Sequence, residues 1–311
     1  MIMTFKKISF SLLLLPALFV VLASAVSAPA ATARHAQKSF ASPEEAVKSF
    51  IEAVRGNDSK GLIAIFGPGA REIISSGDPV DDKSVRERFV KLYDEKNAIE
   101  GADTGRAVLS VGNEETPFPI PVVKRGHVWR FDSRAGKEEL LNRRIGRNEL
   151  VVIEVVRAYV DAQREYVAKD RDGNGATEFA QKIRSTPGKK DGLYWAAKEG
   201  EEESPMGPFA AKAAKEGYSK ENTAYHGYYY RILKAQGKDA QGGAFDYLVN
   251  GKMILGFAMV AYPAKYGASG IMTFIVNQNG NVFQKNLGKK SARIATSMKL
   301  FNPDPSWKKV E

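Results

Sequence analysis

Residues 245–288 read FDYLVNGKMILGFAMVAYPAKYGASGIMTFIVNQNGNVFQKNLG. Asn250-Gly251 and Asn279-Gly280 are hairpin signals, because Asn and Gly tolerate the positive φ that tight turns demand. The first stands between residues 245–249 and 253–262, the second between 271–276 and 282–284. The run from Met253 to Ala261 is apolar without alternation, which predicts a buried central strand rather than one with a wet face. Upstream, Tyr228, Tyr229 and Tyr230 lead into Ile232 and Leu233 as a further strand. The expected result is an antiparallel sheet closed by a hairpin.

Working back from that sheet, residues 137–168 predict a helix. Gly146 is expected to divide it, with Asn148 capping the second part. Val152, Val155, Tyr159, Ala162 and Tyr166 recur every three or four residues, a stripe that should lie across the sheet. Residues 185–224 between helix and sheet are rich in Lys, Glu, Gly, Pro and Ala. So long an excursion inside a domain is uncommon and often functional.

The amino-terminal half starts with its own helix. Ser42 is a good N-cap, Pro43 suits the first turn, and Glu45 completes a capping box. Ala46, Val47, Phe50, Ile51 and Val54 mark its apolar face, and Gly56-Asn57 ends it. Short helices are expected over 59–66 and 70–75. A third covers 81–97, with Val85, Phe89, Leu92 and Tyr93 on one face. The period then shortens. Residues 106–111, 119–123 and 126–132 have strand character, with Trp129 and Phe131 on one side of the last. The fold class is α+β: N-terminal helices plus a small antiparallel sheet, then a long helix packed on a second antiparallel sheet. The expected organisation is a signal peptide over 1–28, a flexible leader over 29–40, one α+β domain over 41–136 and a second over 137–311 with the loop 185–224.

The signal reading rests on Lys6 and Lys7, the apolar run from Ile8 to Leu22, and small-x-small sites at Ala23-Ser24-Ala25 and Val26-Ser27-Ala28. Pro16 interrupts a core already short for a bilayer span. Export to the periplasm or medium is therefore expected, with no membrane span after cleavage. The 311 residues contain no Cys. That excludes disulfides, thiolate metal sites and a cysteine nucleophile, so stability must come from the core. The net charge of +10 falls to +8 without Lys6 and Lys7. The longest basic runs are only pairs, so the charge reads first as a solvated surface, with contact with anionic envelope polymers or lipid headgroups as the alternative; nucleic acid is not an expected partner.

One loop has metal-ligand spacing. In DRDGNGATE, residues 170–178, the oxygen donors Asp170, Asp172, Asn174 and Glu178 stand at positions 1, 3, 5 and 9, with Gly175 at 6. Calcium takes such hard oxygens. Position 12, which holds a bidentate Glu in that loop type, is Gln181. Two readings stand: a calcium site, or an Asp/Asn/Gly turn capping the next segment. His226 among Tyr225, Tyr228, Tyr229 and Tyr230 would serve as a general base, but no G-x-S-x-G nucleophile motif accompanies it; the alternative is a strand of packed aromatics. Glu114-Glu115 and Glu201-Glu202-Glu203 sit in polar stretches and read as solvated loop charge. No catalytic motif is found, and a non-enzymatic protein is expected.

Several longer phrases resemble a known family. They are WRFDSRAGKEELLNRRIGRNEL (129–150), AYVDAQREYVAKDRDGNGATEFAQKI (158–183), DGLYW (191–195), GYYYRILKAQG (227–237) and MVAYPAKYGASGIMTFIVNQNGNVFQKNLG (259–288). Together they resemble the bacterial domain of unknown function 2950 (DUF2950) family, which implies an exported protein without an assigned activity and carries over no site residues. Residues 42–135 also resemble nuclear transport factor 2-like domains. Residues 149–288 resemble the globular half of pilins and pseudopilins, without the apolar polymerising helix. These likenesses lead to an expected envelope binding or scaffold protein, acting through the sheet or the 185–224 loop on a secretion or pilus component. The alternatives are a small-ligand-binding or hydrolytic protein using a cupped N-terminal domain, with Trp129 and Arg130 near its pocket, and a calcium-stabilised module.

Overall fold

The computed structural model describes residues 37–171, 173, 175–218 and 223–310. The expected signal lies outside the described residues, as do Asp172 and Asn174. Helix α1 (Pro43–Arg55) starts as its sequence predicts. The Ser42 hydroxyl accepts from the Glu45 amide at 3.2 Å, and the Glu45 carboxylate accepts from the Ala41 amide at 2.8 Å. Such a cap contributes ~1 kcal/mol. Then come α2 (Ser59–Phe66), α3 (Ala70–Ile74) and α4 (Pro79–Glu95).

The strands that follow are β1 (Asn97–Glu100), β2 (Arg106–Val111), β3 (Thr116–Pro117), β4 (Val122–Arg125) and β5 (Val128–Phe131). They form an antiparallel sheet in the order β1-β2-β4-β5, with β3 paired to β2. The sequence reading had not given β1, whose four residues continue from the expected end of α4. Phe50 is the hub of the first core: its ring lies 5.0–5.6 Å from those of Phe66, Phe89, Phe118 and Phe131. Such pairs add ~1 kcal/mol each beyond the area they bury. The leader expectation is corrected at its end. The Gln37 side chain donates to the Ile65 and Phe131 carbonyls at 3.0 and 2.7 Å. Phe40 is buried and exchanges backbone hydrogen bonds with Trp129. An apolar ring and a free sheet edge give residues 37–40 more to gain by docking than by staying in water.

Helix α5 (Ser133–Val167) is continuous over 35 residues. Gly146 does not divide it. The glycine keeps helical geometry, and Asn148 is buried inside the helix, where its amide donates to the Ser269 carbonyl at 2.9 Å. Tertiary contact here outweighs the intrinsic cost of a helical glycine. The expected stripe, from Val152 to Tyr166, is buried throughout. Gln163 is fully buried too: its side chain bonds both backbone groups of Ala180 at 2.8 Å and the Tyr159 hydroxyl at 3.1 Å.

Helix α6 (Gly207–Lys215) lies in the 185–224 excursion. Then come β6 (Tyr228–Leu233), β7 (Ala235–Gln236), β8 (Phe245–Asp246), β9 (Leu248–Val249), β10 (Lys252–Met253), β11 (Ala258–Pro263), β12 (Thr273–Asn277), β13 (Val282–Lys285), α7 (Ser291–Ser297), β14 (Leu300–Phe301) and β15 (Lys308–Lys309). The main sheet runs β15-β13-β12-β11-β6, and all its strand pairs are antiparallel. The Asn250-Gly251 turn joins β9 to β10, both residues having positive φ. The single long strand expected from Met253 is broken. Ile254 and Leu255 are 42% and 52% exposed, and their amides both turn to the Tyr247 carbonyl. Only from Ala258 does the chain enter the sheet, as an interior strand between β12 and β6. Met253 and Phe257 fill the core on either side of that detour, so the intervening apolar pair is left outside.

The 185–224 excursion is anchored rather than loose over its described residues. Leu193 is fully buried, and its carbonyl accepts from the Met206 amide at 2.9 Å. Glu202 accepts from Lys169 at 2.8 Å, Arg171 at 2.5 Å and Lys190 at 3.2 Å. The Arg171 side chain is 3% exposed and faces the Tyr166 and Trp195 rings. The reading of Glu202 as solvated loop charge is thereby corrected. The mixture is α+β, with one core around Phe50 and another beneath α5. Among the described residues no helix is long and apolar enough to cross a membrane.

Candidate functional site

Helix α4 is unusual for its packing. Its apolar face carries Val85, Phe89 and Leu92, yet Asp81 is its one buried residue. These side chains reach the first core only in part, with Phe89 against Phe50 and Phe118, and they also wall a cavity of about 290 Å³. Phe50, Phe66 and Phe118 form the floor with Leu62, Ile73 and Ile74, and Leu140 of α5 contributes to the wall. The volume is near the lower end of ligand pockets, roughly 300–1,000 Å³.

Five arginines line the same cavity: Arg86 and Arg88 of α4, and Arg143, Arg144 and Arg147 of α5. Their i, i+1, i+4 spacing on α5 puts Arg143 and Arg147 one turn apart on one face. Three are engaged. Arg86 donates to the Ile74 carbonyl at 2.6 Å and to Asn57. Arg144 donates to the carbonyls of Glu72, at 3.1 Å, and Ile73, which are orphan acceptors at the C-terminal end of α3. Arg143 pairs with Glu139 at 2.6 Å. Arg88 and Arg147 have no hydrogen-bond or ion-pair partner among the described residues. Arg147 is exposed, and the partial desolvation of its guanidinium beside the cavity lowers its pKa against the pull of Asp81, yet an arginine stays charged. Two guanidinium groups without partners beside an apolar hollow are equipped to hold an anion.

Arg88 and Arg147 also line a second, polar pocket with Asp81, Ser84, Asn148, Glu216, Tyr218 and His226. Asp78 organises this region. One of its carboxylate oxygens caps α4, accepting from the Val80 and Asp81 amides at 3.1 Å. The other accepts from the Tyr218 hydroxyl at 2.8 Å and the Gly227 amide at 2.9 Å. His226 is not a strand residue. It and Gly227, at φ +47° and +75°, form the corner of a tight turn closed by Tyr225 and Tyr228. A Cβ on Gly227 would stand 2.6 Å from the Asn148 amide nitrogen. His226 Nε2 lies 3.1 Å from Glu216, which also accepts from the Tyr225 hydroxyl at 3.2 Å. Burial, then the neighbouring Asp78, raises the Asp81 pKa. Burial and Asp78 likewise hold the Tyr218 phenol far above its ordinary value.

The sequence-predicted residues fall elsewhere. Trp129 is buried against the Phe40 backbone, and Arg130 donates to Ser39 at 2.9 Å, so neither lines the cavity. Asp170 closes a turn onto the Gly175 amide at 2.8 Å. Gln181, at the twelfth loop position, donates to the Gly251 carbonyl and accepts from Lys234. Among the described residues no group of three or more His, Asp or Glu side chains is placed to hold a metal ion. The arginine rim and the buried Asp78 and Asp81 were missed. Their available signal was Arg143-Arg144-x-x-Arg147 beside an apolar stripe on α4 that also carries Arg86 and Arg88.

A family model described as "Protein of unknown function (DUF2950)" matches residues 37–310. No curated protein and no solved structure matches the chain.

Proposed function

Since the chain belongs to the DUF2950 family, which has no assigned activity, we propose from the site itself that it is a binding protein for a single-chain amphiphilic anion. The carrying observation is the apolar cavity of about 290 Å³ lined also by the unpartnered Arg88 and Arg147. The apolar chain gains by leaving water. The acidic group gains charge-assisted hydrogen bonds from the two guanidinium groups. No nucleophile–base pair accompanies the cavity lining, so binding rather than catalysis is the reading. Export through residues 1–28 belongs to the same proposal and would place the protein among envelope lipids.

The test is a calorimetric titration with lauric acid and with dodecylamine. The acid should bind one to one and the amine at least ~10-fold more weakly, a difference of about 1.4 kcal/mol from reversing the charge at the arginines. Leu92→Trp should block the cavity, and Arg88→Ala with Arg147→Ala should weaken the acid. Equal binding of acid and amine, or an unaffected Leu92→Trp protein, would overturn the reading.

The partner-binding reading has a separate support in the exposed Val249, Ile254 and Leu255 around β9 and β10. Crosslinking in native envelopes should capture a stoichiometric partner that Ile254→Lys with Leu255→Lys releases. Recovery of the same partner with both proteins would remove that support.

A further inference from the structure

The polar pocket adds a second chemistry to the first. It measures about 180 Å³ and shares Arg88 and Arg147 with the apolar cavity. Asp81 lines it and is 8% exposed. One of its carboxyl oxygens is fully buried and has no hydrogen-bond partner. Leaving such an acceptor unsatisfied carries the desolvation penalty without return. Arg147 and Arg144 attract its charge without a hydrogen bond to it, and the other polar side chains nearby are engaged elsewhere. Tyr218 donates to Asp78, and His226 faces Glu216. Glu216 adds a second carboxylate to the same pocket.

Across the two pockets the chemistry therefore runs from apolar walls, through two guanidinium groups, to two carboxylates. We infer that the ligand is a zwitterionic single-chain lipid of the lysophosphatidylethanolamine type, with its acyl chain in the cavity, its phosphate at Arg88 and Arg147, and its ammonium donating to Asp81 beside Glu216. This rests on the amphiphile reading above and adds the head group. An ammonium supplies the donor that Asp81 lacks and compensates both carboxylates. A glycerol head group offers only a neutral hydroxyl donor there, a weaker hydrogen bond with no compensating charge.

The experiment compares monomeric lauroyl lysophosphatidylethanolamine, lauroyl lysophosphatidylglycerol, lauric acid and free phosphoethanolamine by calorimetry on the detergent-free protein. The ethanolamine lipid should bind ~10-fold tighter than the glycerol lipid of equal chain length, the worth of one charge-assisted hydrogen bond. Asp81→Asn and Glu216→Gln, each checked for native near-ultraviolet circular dichroism, should each shrink that preference. Lauric acid binding with no head-group preference overturns this inference alone. So does a preference that survives both substitutions. Phosphoethanolamine binding as tightly as the lysolipid overturns it in favour of a small polar solute. Failure of all four to bind overturns the amphiphile reading as well.

Discussion

Glu202 gathers three cations, Lys169, Arg171 and Lys190, and the hydrogen bonds from Lys169 and Arg171 hold its pKa down at about 2. The folded value lies below the unfolded one, so the contribution to stability is present above the ordinary carboxylate pKa, near 4.5. It is lost as pH falls from there through about 2. Burial raises the Asp191 pKa, but the bonds from Lys182 and Thr186 outweigh it and hold the group at about 2, so its contribution is lost within the lower part of that window, from 3.8 downward. Amide-exchange protection factors over residues 185–210, each taken relative to the intrinsic rate at the same pH, should therefore fall between pH 4.5 and 2 in the native protein. Glu202→Gln should show accelerated exchange already at pH 7. An exchange rate in this segment equal to wild type at pH 7 would remove Glu202 as its anchor. Asp78 is a second critical side chain, fully buried with four donors from three separate stretches. Asp78→Ala orphans them together and should cost ~3 kcal/mol in urea unfolding, of the size expected for a broken buried charged network. A loss below ~1 kcal/mol would mean that water replaces the carboxylate.

At the scale of elements, the two glycines that punctuate the reading behave oppositely. The break expected at Gly146 is absent: the residue lies within α5, and a Cβ there would meet nothing within 4 Å. Gly146→Ala should stabilise the protein by ~0.5–1 kcal/mol, the helical advantage of alanine. Gly227→Ala should destabilise it, because φ is +75° and the new Cβ would press on Asn148 and Ser269. Urea midpoints that move in the same direction for both would refute this assignment. Most helices and strands were legible because each carries its own period and its own cap, as α1 does at Ser42. The strand expected from Met253 was misread because a long apolar run cannot say which of its residues the core has room for. The direction of Val85, Phe89 and Leu92 on α4 was also legible. That they face a hollow was not, since periodicity reports a face and not what fills it. Arg88 and Arg147 stand 59 positions apart in the chain, and a lone arginine on a helix reads the same whether it meets water or a ligand.

Across the whole molecule, α5 ties the two cores together. Its early residue Leu140 packs against the Phe50 core, and from Val152 onward it lies in the core of the main sheet. Arg144 fastens it to α3, and Asp78 bonds the start of α4 to Tyr218 and Gly227. Neither half can unfold without breaking a buried polar junction and exposing part of one continuous helix. Calorimetry should therefore record one transition, although the length of the chain would allow two domains. Lauric acid at about 100 times its dissociation constant adds ~2.7 kcal/mol to the folded state. In a chain of this size that raises Tm by about 4–5 °C. Because the proposed ligand would occupy the cavity that α4 and α5 both line, the whole transition should move. Two resolved transitions, with only the earlier one shifted by lauric acid, would show that the halves fold separately and that α5 does not transmit binding between them.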